Sequence, residues 1–133
     1  MLFATFLLFF AVQGAVQAEG VSKEIKFKSG HSSSVEKGCV VGADTDEYTL
    51  EAHQGQTMSV SIESEEDNAV FNMFYWADGV LEPVEGTGDQ EEGSAVKHWK
   101  GKLPGNADET TQYKIEVGKE RGNACYTLKV TIK

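Results

Sequence analysis

The chain has 133 residues and a formal net charge of −9, which gives it the length of one domain and the wrong sign for nucleic acid or an anionic membrane surface. That acidity serves solubility, and it equally suits a positively charged protein partner whose approach the field would speed. With only two cysteines, a dense disulfide framework is excluded.

Residues 1–18, MLFATFLLFFAVQGAVQA, carry no charged side chain. The apolar run from Leu2 to Val12 is too short to span a bilayer comfortably. Val16-Gln17-Ala18 has the small-residue pattern of a signal cleavage site. The expectation is a secretory signal cut after Ala18, a single domain at 19–133, and a periplasmic or secreted location. In an exported protein, one intramolecular bridge between Cys39 and Cys125 is the default.

From Val21 onward the apolar residues recur with period two. Ile25 and Phe27 alternate with Glu24, Lys26 and Lys28 as a half-buried strand. Gly30 to Ser33 is a turn cluster, and a strand of ambiguous phase follows from Ser34 to Val41. Asp44 to Asp46 forms an acidic turn. Tyr48, Leu50 and Ala52 then point one way, and Thr49, Glu51 and His53 the other. After Gly55-Gln56, the positions Met58, Val60 and Ile62 give the cleanest alternation in the chain.

Glu65 to Asn68 reads as a solvated acidic loop, and the apolar run Ala69 to Trp76 as a central strand buried on both faces. Asp78-Gly79 is a hairpin signal, and Pro83 makes Val80 to Val84 an edge strand. Glu85 to Gly93 is an acidic, glycine-rich loop. A strand is expected from Val96 to Leu103, with Val96, His98 and Lys100 on one face and Lys97 and Trp99 on the other. Pro104 to Thr110 is a loop. Tyr113, Ile115 and Val117 alternate inward, as do Tyr126, Leu128, Val130 and Ile132. About eight short strands and no segment of helix length predict an all-β fold: an antiparallel β-sandwich, with a jelly-roll-like arrangement as one form of it. If Tyr126 and Val40 point inward, Cys125 and Cys39 both point outward, so the two cysteines can pair on one outer face.

The three histidines, 31, 53 and 98, fall in no metal-ligand spacing, and no cofactor is expected. Ser32, Ser33 and Ser34 lack the context of a nucleophile elbow, and nothing marks an enzyme. Asp44-Thr45-Asp46 and Glu65-Glu66-Asp67-Asn68 offer oxygen ligands but not the spacing of a calcium loop. Trp76, Trp99 and Phe74-Tyr75 serve either as core or as an aromatic platform for sugar or peptide. The turn from Gly118 to Asn123 holds Arg121, the one arginine of the chain. On a hairpin tip its planar fork suits a carboxylate, or else a surface salt bridge with Glu120.

The pattern F-x-x-G-H-S-S, then G-x-V-x-G, an acidic turn, Y-x-L-x-A and G-Q is carried here by Phe27, Gly30, His31, Ser32, Ser33, Gly38, Val40, Gly42, Asp46, Tyr48, Leu50, Ala52, Gly55 and Gln56. In order and spacing it resembles the periplasmic inhibitor of g-type lysozyme family. The segments from Tyr113 to Val117 and from Arg121 to Ile132 resemble that family's last hairpin, whose loop is arginine-bearing. The Y-x-L-x-A part is also similar to the wider pre-peptidase C-terminal sandwich domains. The resemblance implies a non-enzymatic protein that blocks the glycan cleft of a g-type lysozyme, with Arg121 carried over as the group that meets the enzyme's carboxyl acid. Lys119 and Asn123 flank it as partner-binding candidates, together with His31, Ser32 and Ser33 in the first turn and Asp44 and Asp46 in the acidic turn. The second similarity implies instead a module binding glycan or protein, with or without calcium.

Overall fold

The computed structural model describes residues 20–28, 30–87, 95–105 and 110–133. The expected signal at 1–18 lies outside them. Nine strands run through the described residues: β1 (Ser22–Glu24), β2 (Ser33–Val40), β3 (Asp46–His53), β4 (Thr57–Ser64), β5 (Ala69–Ala77), β6 (Val80–Pro83), β7 (His98–Lys102), β8 (Thr110–Lys119) and β9 (Ala124–Ile132). They form a five-stranded sheet, ordered β1-β3-β8-β5-β6, and a four-stranded sheet, ordered β2-β9-β4-β7. The β-sandwich expected from the alternation is the observed fold.

Register explains why the two sheets close on each other. Leu50 stands opposite Tyr113 and Tyr48 opposite Ile115 in one sheet, while Val60 stands opposite Val130 and Ile62 opposite Leu128 in the other. Each pair puts two apolar side chains on the same inner face, and all eight residues are buried. Burying a large aliphatic or aromatic side chain contributes roughly 1.5–3 kcal/mol, so these facing pairs supply much of the drive to fold.

Three expectations are corrected. The first strand is cut to Ser22–Glu24 and runs parallel to β3 at the sheet edge; Ile25 extends the pairing by donating its N–H to the Thr49 carbonyl at 2.7 Å. The run Ala69 to Trp76 is buried on both faces only at its start. Trp76 stands 44% exposed, because the second sheet covers just one side of β5. The strand expected from Val96 divides at Lys97: Val96 bridges Phe71 of the five-stranded sheet, and pairing with β4 starts at His98. Trp99 and His98 do lie on opposite faces, the first half-buried and the second exposed.

Asp78 and Gly79 have φ of 50° and 79°, the doubly left-handed pair of a type I′ hairpin. That hairpin joins β5 to the proline-bearing edge strand β6.

Candidate functional site

Three connections converge at one end of the sandwich. They are the turn 120–123 between β8 and β9, the turn 65–68 between β4 and β5, and the turn 41–45 between β2 and β3. Asn68 joins the first two. It is 1% exposed, and its Nδ2 donates to the carbonyls of Arg121 and Asn123, each at 3.0 Å. Its own carbonyl accepts the Glu120 N–H at 2.9 Å. The hydroxyl of Ser64 accepts the N–H groups of Asn68 and Ala69, both at 3.0 Å. Asn123 joins the third turn, its Oδ1 accepting the Gly42 N–H at 3.2 Å, and Lys119 Nζ donates to the Gly42 carbonyl.

On this frame Arg121 projects with its side chain 63% exposed. One guanidinium nitrogen donates to the Glu66 carbonyl at 2.8 Å, and another lies 3.6 Å from Glu120 Oε2. These two contacts aim the group and leave part of its five-donor fork toward solvent. The salt bridge with Glu120 and the projecting fork therefore coexist. Lys97 ties the acidic turn down, 3.3 Å from Asp67 Oδ2 and 3.9 Å from Glu120 Oε2.

Asp46 does not belong to this surface. It is 1% exposed; its Oδ1 accepts the Val21 N–H at 2.8 Å, and its Oδ2 accepts the Tyr126 hydroxyl at 2.5 Å. The Tyr126 hydroxyl in turn accepts from Tyr48 at 2.6 Å, and the two rings meet edge-to-face. Burial, then the hydrogen bonds to Asp46 and Tyr48, push the Tyr126 phenol far above the ordinary tyrosine range. Gly38 leaves room for the group, since a Cβ there would stand 2.6 Å from the Tyr126 hydroxyl. A partner-contact role for Asp46 is therefore withdrawn, whereas Asp44 stays half-buried in the turn.

His31, Ser32 and Ser33 are brought together elsewhere. Ser33 stands opposite Thr131, and Val40, at the far end of the same strand, stands opposite Ala124. Seven residue steps of β2, about 23 Å, thus separate the first turn from the arginine-bearing one. His31 and Ser32 line a cavity of about 420 Å³ with Glu51, His53 and Gln56. Gln56 is engaged there in the fold, its Oε1 accepting the His53 N–H at 2.8 Å. Ser34 and His98 lie on β2 and β7, the two edges of the four-stranded sheet. With two strands between them they stand about 14 Å apart, too far to share a proton. Among the described residues no three His, Cys, Asp or Glu side chains are grouped to hold a metal.

Cys39 and Cys125 stand directly opposite in register and form a disulfide on the outer face, as parity required. Asn68 and Lys97 are the residues missed from sequence. The only trace of the first is a lone amide at the end of an acidic run.

The crystal structure of Aeromonas hydrophila PliG, a periplasmic lysozyme inhibitor of g-type lysozyme, superposes with a TM-score of 0.67 at 31% identity, covering 86% of this chain and 98% of that one. The chain belongs to the PliG family. The Salmonella Typhimurium PliG and a mutant of the Escherichia coli PliG share the fold, at 21% and 23% identity and TM-scores of 0.56 and 0.58; each match covers 86% of this chain and 99% of that one. No family model matches the sequence, and no curated protein matches it significantly. Within the PliG fold, the family-like motifs of this chain thus occupy both ends of the sandwich, with the arginine at one and the G-H-S-S turn at the other.

Proposed function

We propose that the protein is a periplasmic or secreted inhibitor of g-type lysozyme that performs no chemistry itself and acts by seating the Arg121 turn in the enzyme's glycan cleft. The observation that carries this reading is a projecting guanidinium on a turn fixed from below by a buried amide, in a chain of the PliG family. A lysozyme needs a protonated carboxyl as its general acid. A guanidinium within about 4–6 Å lowers a carboxyl pKa by roughly 1–3 units, which strips the acid of its working proton. Lys119, Asn123 and Asp44 frame the turn. His31, Ser32 and Ser33, at the opposite end, lie outside a contact centred on it.

The net charge of −9 favours rapid encounter with a basic enzyme, at a rate that falls as salt rises. The test is a cell-lysis assay with the purified protein against g-, c- and i-type lysozymes. Inhibition of the g-type enzyme near stoichiometric ratio is the expected result. Unimpaired turnover of all three at large molar excess refutes the reading.

A further inference from the structure

The two outer faces of the sandwich carry opposite charge. On the five-stranded sheet, Glu47 stands opposite Glu116 and Thr49 opposite Lys114, with Glu51 two residues further along β3. Lys114 is already engaged there, 3.1 Å from Glu47 Oε1 and 3.5 Å from Glu116 Oε2. On the four-stranded sheet, Thr57, Ser59 and Ser61 point outward between the buried Met58, Val60 and Ile62. Lys102 and Lys100 stand opposite Thr57 and Ser59, Lys129 opposite Ser61, and Lys37 opposite Thr127 of the same face. We propose that this face of lysines and hydroxyls binds an acidic polysaccharide, a linear chain bearing carboxylates or sulfates.

The cations here are unspent. Among the described residues, ion pairs engage Lys23, Lys97, Lys114 and Arg121, and none of the four lysines of this face. Glu63 is the one carboxylate side chain that strand parity places among them, and Thr127 stands between it and Lys37. Lysines on edge strands guard against pairing with other chains, which would account for Lys37, Lys100 and Lys102. Lys129 lies on β9, between β2 and β4, where there is no edge to guard. Lys133 continues β9 beside Thr57, and with Lys100 it flanks a depression of about 210 Å³ whose other walls are Thr57, Ser59 and Thr131. Two ammonium groups beside three hydroxyls form a seat for an oxyanion.

The layout suits a chain better than a plane. From Lys102 to Lys37 the lysines run diagonally over four strands and the six steps from Thr57 to Glu63, about 25 Å in all. Salt screens charges beyond roughly 8 Å at physiological ionic strength. A thin polyanion on this track therefore senses the lysines more than the −9 of the whole protein. An anionic bilayer would meet that whole charge, and Val35 is the one exposed large apolar side chain that this face could insert. Single-stranded nucleic acid is held by aromatic platforms, whereas Trp99 turns toward the core, opposite Val60.

The track follows the flank of the sandwich, away from its arginine-bearing end. β4 leads from Thr57, beside Lys102, to Ser64, which holds Asn68 under the Arg121 turn, seven steps and about 23 Å away. A chain seated at Lys100 and Lys102 leaves that turn free. The site thus stands whether or not the turn inhibits lysozyme.

Calorimetric titration of the purified protein with dextran sulfate, polygalacturonate and neutral dextran, at about 50 mM salt, is the test. Saturable binding of an acidic chain is expected, with none of neutral dextran and about tenfold weaker affinity at about 200 mM salt. Binding of dextran sulfate alone supports the proposal with sulfate as the group recognised, and binding of polygalacturonate alone supports it with carboxylate. Lys100→Gln with Lys129→Gln, both at exposed positions, should weaken binding about tenfold. Thr49→Glu with Gln112→Glu makes the same change in net charge on the opposite outer face and should weaken it less than about twofold. No saturable binding of either acidic chain, equal loss in the two double variants, or tighter binding of an oligonucleotide or of phosphatidylglycerol vesicles overturns the proposal.

Discussion

Asn68 donates from a fully buried amide to the carbonyl of Arg121, tying together two turns that lie 53 positions apart in the chain. The arginine thus projects from a backbone already held in place, and little ordering entropy remains to be lost when it meets a partner.

Removing that amide should damage both stability and inhibition. Asn68→Ala leaves the carbonyls of Arg121 and Asn123 without their donor and is expected to cost about 2 kcal/mol, within the range for buried groups stripped of a partner. Urea unfolding measures the loss. A lysis assay at a temperature where the variant is folded should show weaker inhibition although Arg121 is intact. Wild-type behaviour in both would mean that the amide is not the splint described.

Arg121→Ala should separate the two properties. The side chain is 63% exposed, so unfolding should change by less than about 0.5 kcal/mol. Inhibition of g-type lysozyme should fall about tenfold or more, as when one partner of a desolvated charge pair is lost. Full inhibition by this variant takes the arginine out of the mechanism.

The Tyr126 phenol predicts an alkaline limb of stability. Its pKa is raised by burial and by its hydrogen bonds to Asp46 and Tyr48, while an unfolded tyrosine titrates near 10. The contribution is complete below about pH 10 and is lost as pH climbs toward the higher folded value, because the unfolded chain then binds fewer protons. Burial raises Tyr48 and Tyr113 as well, which adds to the same limb. Unfolding free energies should therefore decline above about pH 10. Tyr126→Phe should be less stable at neutral pH, where the Asp46 carboxylate loses a donor, and should show a shallower alkaline decline. An identical slope in the variant contradicts the assignment.

The Cys39–Cys125 bridge closes 86 positions, for which chain entropy sets an upper value of about 4.5 kcal/mol. Cys39→Ser with Cys125→Ser should lower the unfolding free energy by at most that amount and keep the sandwich, since the core pairs do not involve sulfur. Mass spectrometry without reductant should find no free thiol in the wild type. Two free thiols would reject the bridge.

The fold could be read where a side chain's surroundings repeat along the strand. Met58, Val60 and Ile62, and Tyr126 through Ile132, alternate because one face meets a sheet and the other water, and each inward residue is buried as expected. Local pattern carries no signal where a residue's partner lies far away in the chain. Asp46 looks like any acid in a turn, and its burial depends on a hydroxyl 80 positions later. Asn68 looks solvated for the same reason. Trp76 belongs to a run too uniformly apolar to show which side the second sheet covers. The parallel placement of β1 depends on the backbone of β3 rather than on any pattern of its own.

At the candidate site, the arginine could be found because it is the chain's sole representative of its type. Its supports could not, because they are a main-chain carbonyl at Glu66 and a buried amide. The two ends of the sandwich were likewise indistinguishable before register was known: His31 and Arg121 carry equally family-like motifs yet sit at opposite ends of β2 and its neighbours.

Both sulfurs of the bridge lie on the solvent side of β2 and β9, so an oxidant or small thiol can reach them without prising the sheets apart. Strand pairing alone brings the two cysteines opposite each other, and thiolate exchange then needs only access. Maturation of the bond is thereby uncoupled from assembly of the interior. A chain released into a poorly oxidising compartment can fold first and acquire its cross-link afterwards.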